Sequence, residues 1–215
     1  MKRLKKEIKK GQEEMEENIN VLEDYLFSGL SFSTFKFDDA SFLACKCYLM
    51  RFEFFKKKYY RALHQLFSGT SIDGLDFRKE KYYIAQIVKA LKNSSILISE
   101  DPKEIKIYKK IRKNANSITS KDLSIDDLPI ETKNKKACLI VEKDEDRMKY
   151  QDIINEFRNI HFIVLDKIED ESFIYDQIKV KILQDESDIY FVGKSFYANY
   201  IANSIYDVNL IAIHL

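Results

Sequence analysis

Four short apolar runs constrain the fold of this chain more than any other feature. They are ACLIVE, IHFIVLD, DIYFVG and NLIAIHL, and segments with a helical pattern separate them between residues 136 and 215. Strands that are apolar on both faces and alternate with helices are typical of a parallel sheet that helices cover on both sides. We therefore predict a βαβαβαβ unit with right-handed crossovers, which is a small four-stranded parallel Rossmann-like sheet.

The residues before this unit have a helical pattern instead. Apolar residues recur at spacings of three and four in the first segment, from Leu4 to Leu26, and Gly29 is expected to cap that helix. Three further helices are expected: from Asp38 or Asp39 to Ser68, over 77–93, and from Asp101 and Pro102 onward.

The polar stretch 116–135 lacks any apolar periodicity and is predicted to be a linker or irregular connection. The predicted fold class is therefore α/β, with a helical bundle at 1–115, this linker, and the parallel α/β domain at 136–215. An open edge of a four-stranded sheet tends to be covered by other parts of the protein or by a partner chain. We therefore expect an intimate domain interface, a protein partner or a homodimer.

Composition narrows the function classes. The chain has 36 Lys and Arg against 35 Asp and Glu, for a formal net charge of +1, so any basic surface for nucleic acid must be local. No apolar run is long enough to cross a membrane, and the charged start has no apolar core of a secretory signal. We expect a cytoplasmic protein without membrane insertion. The three cysteines, an odd number, fit free buried thiols in a reducing compartment.

The string Gly193-Lys194-Ser195 has the ending of a phosphate-binding P-loop. In a P-loop, another glycine lies five residues before the glycine that corresponds to Gly193. The residue at that position in this chain is Asp188. The residues between must also form the third strand, so no loop remains to surround a phosphate. We predict a tight turn at Gly193 and a helix that Ser195 caps. The free backbone N–H groups at the start of that helix are suited to an anion.

The acidic residues after the first apolar run resemble the opening of a response-regulator receiver domain. The third run, DIYFVGK, is also similar to the third strand of a receiver, in which the phosphoaccepting aspartate follows an acidic residue and an apolar run. That position falls at Gly193, with Lys194 beside it. The resemblance covers 136–215 and implies a flavodoxin-like or receiver-like fold. It also implies a degenerate module that cannot be phosphorylated and that lacks the fifth strand with its lysine.

Three functions remain open. The first is a non-enzymatic regulatory or protein-interaction protein, with no catalytic residue, cofactor or metal. The second is a protein or enzyme that binds a small ligand, nucleotide or phosphate, since ligands of such sheets sit beyond the carboxyl ends of the strands. The residues expected at this rim are Glu142, Asp144, Asp166, Gly193, Lys194 and Ser195.

The third function is nucleic-acid binding through the segment FFKKKYYRALHQLF, in which aromatic and basic residues alternate. The basic residues of this candidate patch are Arg51, Lys56, Lys57, Lys58 and Arg61. The aromatic and leucine side chains from Phe52 to Leu66 recur at helical spacing, so most of them are expected to face the core. An ordinary solvated helix face is therefore favoured over a nucleic-acid site here.

Overall fold

A computed structural model describes most of the chain. The described residues are 25, 26, 28, 30–68, 78–112, 118–119, 128, 130–165 and 174–215. Of the first predicted helix the structure describes only residues 25, 26 and 28, and its Gly29 cap and most of the stretch 116–135 lie outside the described residues.

The four predicted strands of the C-terminal part are confirmed, and three further strands precede them. In chain order the strands are β1 (Thr34–Lys36), β2 (Ile96–Ile98), β3 (Ile118–Thr119), β4 (Ala137–Val141), β5 (Ile160–Val164), β6 (Ile189–Val192) and β7 (Ile211–His214). The first three form a parallel sheet in the order β1-β2-β3, and the other four form a parallel sheet in the order β5-β4-β6-β7. The protein is therefore a mixed α/β structure with a four-stranded Rossmann-like sheet.

Helices connect these strands. They are α1 (Asp39–Leu49), α2 (Glu53–Ser68), α3 (Arg78–Asn93), α4 (Pro102–Ile111), α5 (Ile130–Lys133), a 3₁₀ helix (Asp144–Tyr150), α6 (Gln151–Glu156), α7 (Ile174–Gln184) and α8 (Ala198–Tyr206). The caps expected for α1 and α4 are confirmed. The Asp38 carboxylate accepts a hydrogen bond from the Ser41 N–H, and the Asp101 carboxylate accepts one from the Lys103 N–H.

Two expectations for the N-terminal part need correction. The part is not purely helical, because β1 and β2 lie within it and pair with each other, and β3, in the predicted linker, extends their sheet. Each of these strands has three residues or fewer, which is too short for a period to be visible in the sequence. The single helix expected up to Ser68 is also two helices. Met50 is extended, with φ −78° and ψ 128°, and its N–H bonds back to the Cys47 carbonyl, so α1 ends there.

The outer edge of β7 is covered by the chain just before and within β1. Ser33 and Ala212 form a parallel bridge, and the Ala212 N–H donates to the Phe32 carbonyl at 2.9 Å. The His214 N–H donates to Thr34 Oγ1 at 2.7 Å. The two sheets therefore meet side by side, and the edge left by the four predicted strands is occupied by the N-terminal part of the same chain.

The hydrophobic core also crosses between the two parts. On one face, Phe32 and Ile96 pack in the same buried cluster as Leu139, Phe191 and Ile213 of the four-stranded sheet. On the other face, α1–α4 enclose one cluster, while α7 and α8 cover another. The division at 116–135 stays a prediction about chain organisation, and within it Ile118–Thr119 pairs with β2 and Leu128 is buried.

Among the described residues, no helix has the length and apolar character needed to cross a membrane.

Candidate functional site

The residues predicted to form a rim lie where the parallel strands end. Glu142 directly follows β4, Asp144 begins the 3₁₀ helix, and Gly193 directly follows β6. β4 and β6 are neighbours in the sheet, so their carboxyl ends lie side by side. Asp166 lies outside the described residues. The geometry of the rim is therefore set by the ends of β4 and β6.

Tyr150 occupies the space beside Gly193. A Cβ placed on Gly193 meets the Ile140 carbonyl oxygen at 3.0 Å and two Tyr150 side-chain atoms, Cε2 and Oη, at 3.1 Å. The Lys194 N–H donates a hydrogen bond to the Tyr150 hydroxyl at 3.0 Å. Glycine permits this close approach, and the aromatic ring takes the place above the strand end. The Lys194 N–H is therefore already bonded within the protein.

Ser195 has a different role from the one the sequence indicates. Helix α8 begins at Ala198 and its N-cap is Tyr197, so Ser195 is not the cap. The Ser195 hydroxyl accepts a hydrogen bond from the Tyr197 N–H at 3.2 Å and is buried. The predicted turn is present, but the helix starts later, because the turn residues Phe196 and Tyr197 lie between Ser195 and the first helical residue, Ala198. No P-loop surrounds this position in the described chain.

The acidic cluster after β4 is engaged by neighbouring cations. Asp144 pairs with Arg147 at 2.8 Å, and Asp146 pairs with Lys149 at 2.6 Å. The hydrogen bond from Lys149 lowers the pKa of Asp146, and the same contact raises the pKa of Lys149. In the part of the chain that the structure describes, no group of three or more His, Cys, Asp and Glu side chains is placed to hold a metal ion.

An open groove runs beside the edge strand β5, and nothing in the sequence analysis indicated it. The groove has a volume of about 310 Å³ and is lined by Arg147, Phe162, Ile163, Val164, Lys181, Gln184 and Asp185. The Arg147 guanidinium lies 4.3 Å from the centre of the Phe162 ring. Lys181 reaches the groove from α7. Two cations therefore flank an apolar strand whose outer backbone edge pairs with no described strand.

His214 is the last residue of β7 and lies where β7 meets the beginning of β1. Its Nδ1 lies 3.2 Å from the Thr34 carbonyl oxygen, and its side chain is buried. Burial lowers the pKa of His214 from 6.5 to about 4, so the imidazole is neutral at pH 7. Nδ1 carries the proton in this arrangement, since only a donor suits a carbonyl oxygen.

The basic patch predicted around α2 lies on the surface. Arg51, Lys57, Lys58 and Arg61 are exposed, and Lys56 is half-buried. The expected core face of this helix needs correction. Phe52 precedes the helix and is 70% exposed, and Leu66 is 38% exposed. Two other residues of the expected face are confirmed: Leu63 is fully buried, and Tyr59 packs against the same core together with Tyr60 and Phe67.

The cysteines and the remaining histidines form no shared site among the described residues. Cys45, Cys47 and Cys138 are free and buried, as predicted, and burial raises the pKa of Cys45 and of Cys138. His64 Nδ1 lies 2.7 Å from a carboxylate oxygen of Glu80, which is buried. His161 is exposed on β5. The Cys45 and Cys138 thiols stay protonated at neutral pH because burial disfavours the thiolate.

The residues that sequence reasoning missed are mostly held by contacts between distant parts of the chain. Tyr150 and Lys194 are 44 residues apart, and Thr34 and His214 are 180 residues apart. No local pattern marks such pairs. A weak signal existed only for Tyr150, because the helix after a first strand must pass over the strand ends.

Comparison with protein-family models, with curated proteins and with solved structures finds no match to this chain.

Proposed function

We propose that this chain is a non-enzymatic regulatory or interaction protein that acts by binding a macromolecular partner. Its α/β part would be a receiver-like module without phosphotransfer chemistry. The observation that carries the proposal is the contact of Tyr150 with Gly193 and Lys194, because a side chain of the protein fills the strand-end position at which such folds bind ligands.

The order of the strands supports the receiver-like resemblance. In the order β5-β4-β6-β7, the second strand of the unit lies outside the first, and the third and fourth follow on the other side. This is the order of flavodoxin-like folds, in which the ligand lies where the first and third strands diverge. The corresponding strands are β4 and β6, and their ends are where Tyr150 packs.

A phosphorylation assay tests the absence of receiver chemistry. Purified protein is incubated with Mg²⁺ and acetyl phosphate, and its intact mass is followed. We expect no phosphoryl adduct, because Gly193 has no side chain to accept the group. An adduct that disappears in Asp144→Asn would contradict the proposal.

A ligand screen tests the closed rim. The melting temperature of the wild type is measured with nucleotides and sugar phosphates, beside Tyr150→Ala and the matched Tyr150→Phe, which loses only the hydroxyl. We expect no saturable shift for the wild type. A wild-type shift that is lost in Lys194→Ala would show an accessible anion site and overturn the proposal.

The groove beside β5 supports small-anion binding as a second candidate. Its volume of about 310 Å³ suits a small ligand, and Lys181 provides positive charge beside Arg147, which also pairs with Asp144. Lys181→Ala is expected to abolish binding of a small carboxylate or phosphate, and Lys179→Ala, on the same helix but not lining the groove, should leave it intact. Chemical shifts of the β5 amides report the binding, and equal affinities in both variants would exclude this site.

A further inference from the structure

The solvent-facing side of α4 consists of lysines. Lys103, Lys106, Lys109 and Lys110 are exposed, while Ile107 and Tyr108 are buried on the opposite side. Lys103, Lys106 and Lys110 follow spacings of three and four residues, so they form one row on the helix surface. The row extends for about 10 Å at the rise of an α-helix.

This arrangement is unfavourable for the helix by itself. The four positions that neighbour Lys106 on the helix surface are Pro102, Lys103, Lys109 and Lys110, so Lys106 has like charges at three of them. Like charges at these spacings lower helix stability, and solvated helices commonly alternate their charges. The helix dipole favours Lys109 and Lys110 in the last turn but not Lys103 in the first. Helix stability alone therefore does not explain the lysine face.

The acidic side chains of α4 are directed elsewhere. Glu104 accepts a hydrogen bond from the Ser99 hydroxyl, and Asp101 caps the helix through the Lys103 N–H. No ion pair of the four lysines is found among the described residues. Their ammonium groups are available to an outside anion.

Charge is unevenly distributed along the chain. Residues 30–112 contain 17 Lys and Arg against nine Asp and Glu, whereas residues 113–215 contain 13 against 19. The nearly neutral total therefore conceals a basic part that includes α1–α4. Such an asymmetry is typical of a chain with one surface for a polyanion.

An exposed aromatic side chain lies on the neighbouring helix. Tyr48 of α1 is 48% exposed, and α1 packs against α4. The Lys92 ammonium lies 5.2 Å from the centre of the Tyr48 ring and donates to its hydroxyl at 3.3 Å. An exposed ring that one cation holds in place is suited to stack on a base. An acidic protein partner would need the lysines but not this ring.

We propose that the lysine face of α4 binds the phosphates of a single-stranded nucleic acid while Tyr48 stacks on a base. The binding does not depend on the strand-end rim or on the groove beside β5. It uses a different surface row from the patch that the sequence indicated on α2.

Fluorescence anisotropy with labelled oligo-U RNA and oligo-dT DNA at a series of salt concentrations tests the proposal. We expect salt-dependent binding of at least one of the two. Lys106→Glu/Lys110→Glu should weaken it by tenfold or more and lower the salt slope by about 1.4, since each single-strand phosphate contact contributes about 0.7. The matched control is Lys143→Glu/Lys179→Glu, which makes the same charge change on exposed lysines of the C-terminal part and should retain the affinity.

Tyr48→Ala should lower the affinity about fivefold or more, and Tyr48→Phe should retain it, because stacking needs only the ring. Circular dichroism and thermal melting verify that each variant is folded. Lys106→Gln/Lys110→Gln is a milder double variant, because it removes the two charges without reversing them. Absence of binding to both oligonucleotides, or equal loss in the control, would overturn the proposal. Stronger binding of poly-glutamate than of either oligonucleotide would assign the face to an acidic protein instead.

Discussion

Gly193 lies where the strand ends pack closely. Its Cβ position is 3.0 Å from the Ile140 carbonyl oxygen and 3.1 Å from two atoms of Tyr150. Gly193→Ala should therefore lower the free energy of unfolding by about 1–3 kcal/mol, the usual cost of overpacking. Urea denaturation followed by circular dichroism measures the change.

A double-mutant cycle identifies the cause of that cost. Two of the three nearest atoms belong to Tyr150, so Gly193→Ala should cost less in a Tyr150→Ala background. Additive effects within about 0.5 kcal/mol would mean that the two residues do not interact, contrary to the contact described.

His214 makes stability depend on pH in a defined range. Its pKa is lowered by burial to about 4 in the folded protein and is 6.5 for an ordinary histidine, so the unfolded chain takes up a proton first as pH falls. The contribution of neutral His214 to the free energy of unfolding amounts to about 3 kcal/mol. It is complete above about pH 6.5 and is lost progressively down to about pH 4.

The prediction is tested by comparing His214→Gln with His161→Gln, in which an exposed histidine of β5 is replaced. Unfolding free energies measured between pH 4 and 7.5 should decline less steeply in His214→Gln than in the wild type. His161→Gln should follow the wild type. Parallel curves for all three proteins would show that His214 does not titrate in this way.

At the scale of elements, α8 joins the two parts of the chain through polar side chains. Asn199 donates to the Lys36 carbonyl at 2.9 Å and accepts from the Lys36 N–H at 3.4 Å. Asn203 accepts from the Asn93 amide at 2.9 Å, and Asp207 pairs with Lys89 at 2.6 Å. These contacts fix β1 and α3 against α8.

Asn199→Ala should lower the free energy of unfolding by about 1–3 kcal/mol, because it removes two hydrogen bonds between the buried Asn199 side chain and the backbone of Lys36. Hydrogen exchange at the Lys36 amide should also become faster. Asn155→Ala, which removes an exposed asparagine of α6, is the control and should change stability by less than about 0.5 kcal/mol. Equal effects of the two variants would contradict the role of Asn199.

At the scale of the whole molecule, the shared core predicts that the two parts unfold together. Phe32 belongs to the N-terminal part and is fully buried against the four-stranded sheet. Phe32→Ala should cost about 3–5 kcal/mol and shift one single transition to lower denaturant. Phe52→Ala, at a 70% exposed phenylalanine, should shift it little.

Hydrogen exchange of amides in both sheets measures whether Phe32→Ala lowers the stability of both parts equally. Protection of β2 and of β6 should fall by the same free energy in Phe32→Ala. A loss confined to one sheet, or two separate transitions in the wild type, would show that the parts unfold independently.

Much of the local structure was predictable from the sequence. The four runs between 136 and 215 were recognisable because strands buried on both faces need continuous apolar residues. Asp38 and Asp101 were recognisable as caps because their side chains bond to backbone N–H groups two or three residues away. Gly193 was correctly placed at the end of a strand, since a turn must follow β6.

Tertiary structure decided the features that depend on distant residues. The strands β1–β3 form because neighbouring strands supply hydrogen bonds to segments of two or three residues, which have no periodicity of their own. Ser195 was expected to cap a helix, but packing starts α8 at Ala198. The sequence by itself determined a parallel sheet and its strand ends. Only the folded chain decided that Tyr150 packs on Gly193 and that β1 covers β7, because both contacts join residues far apart in sequence.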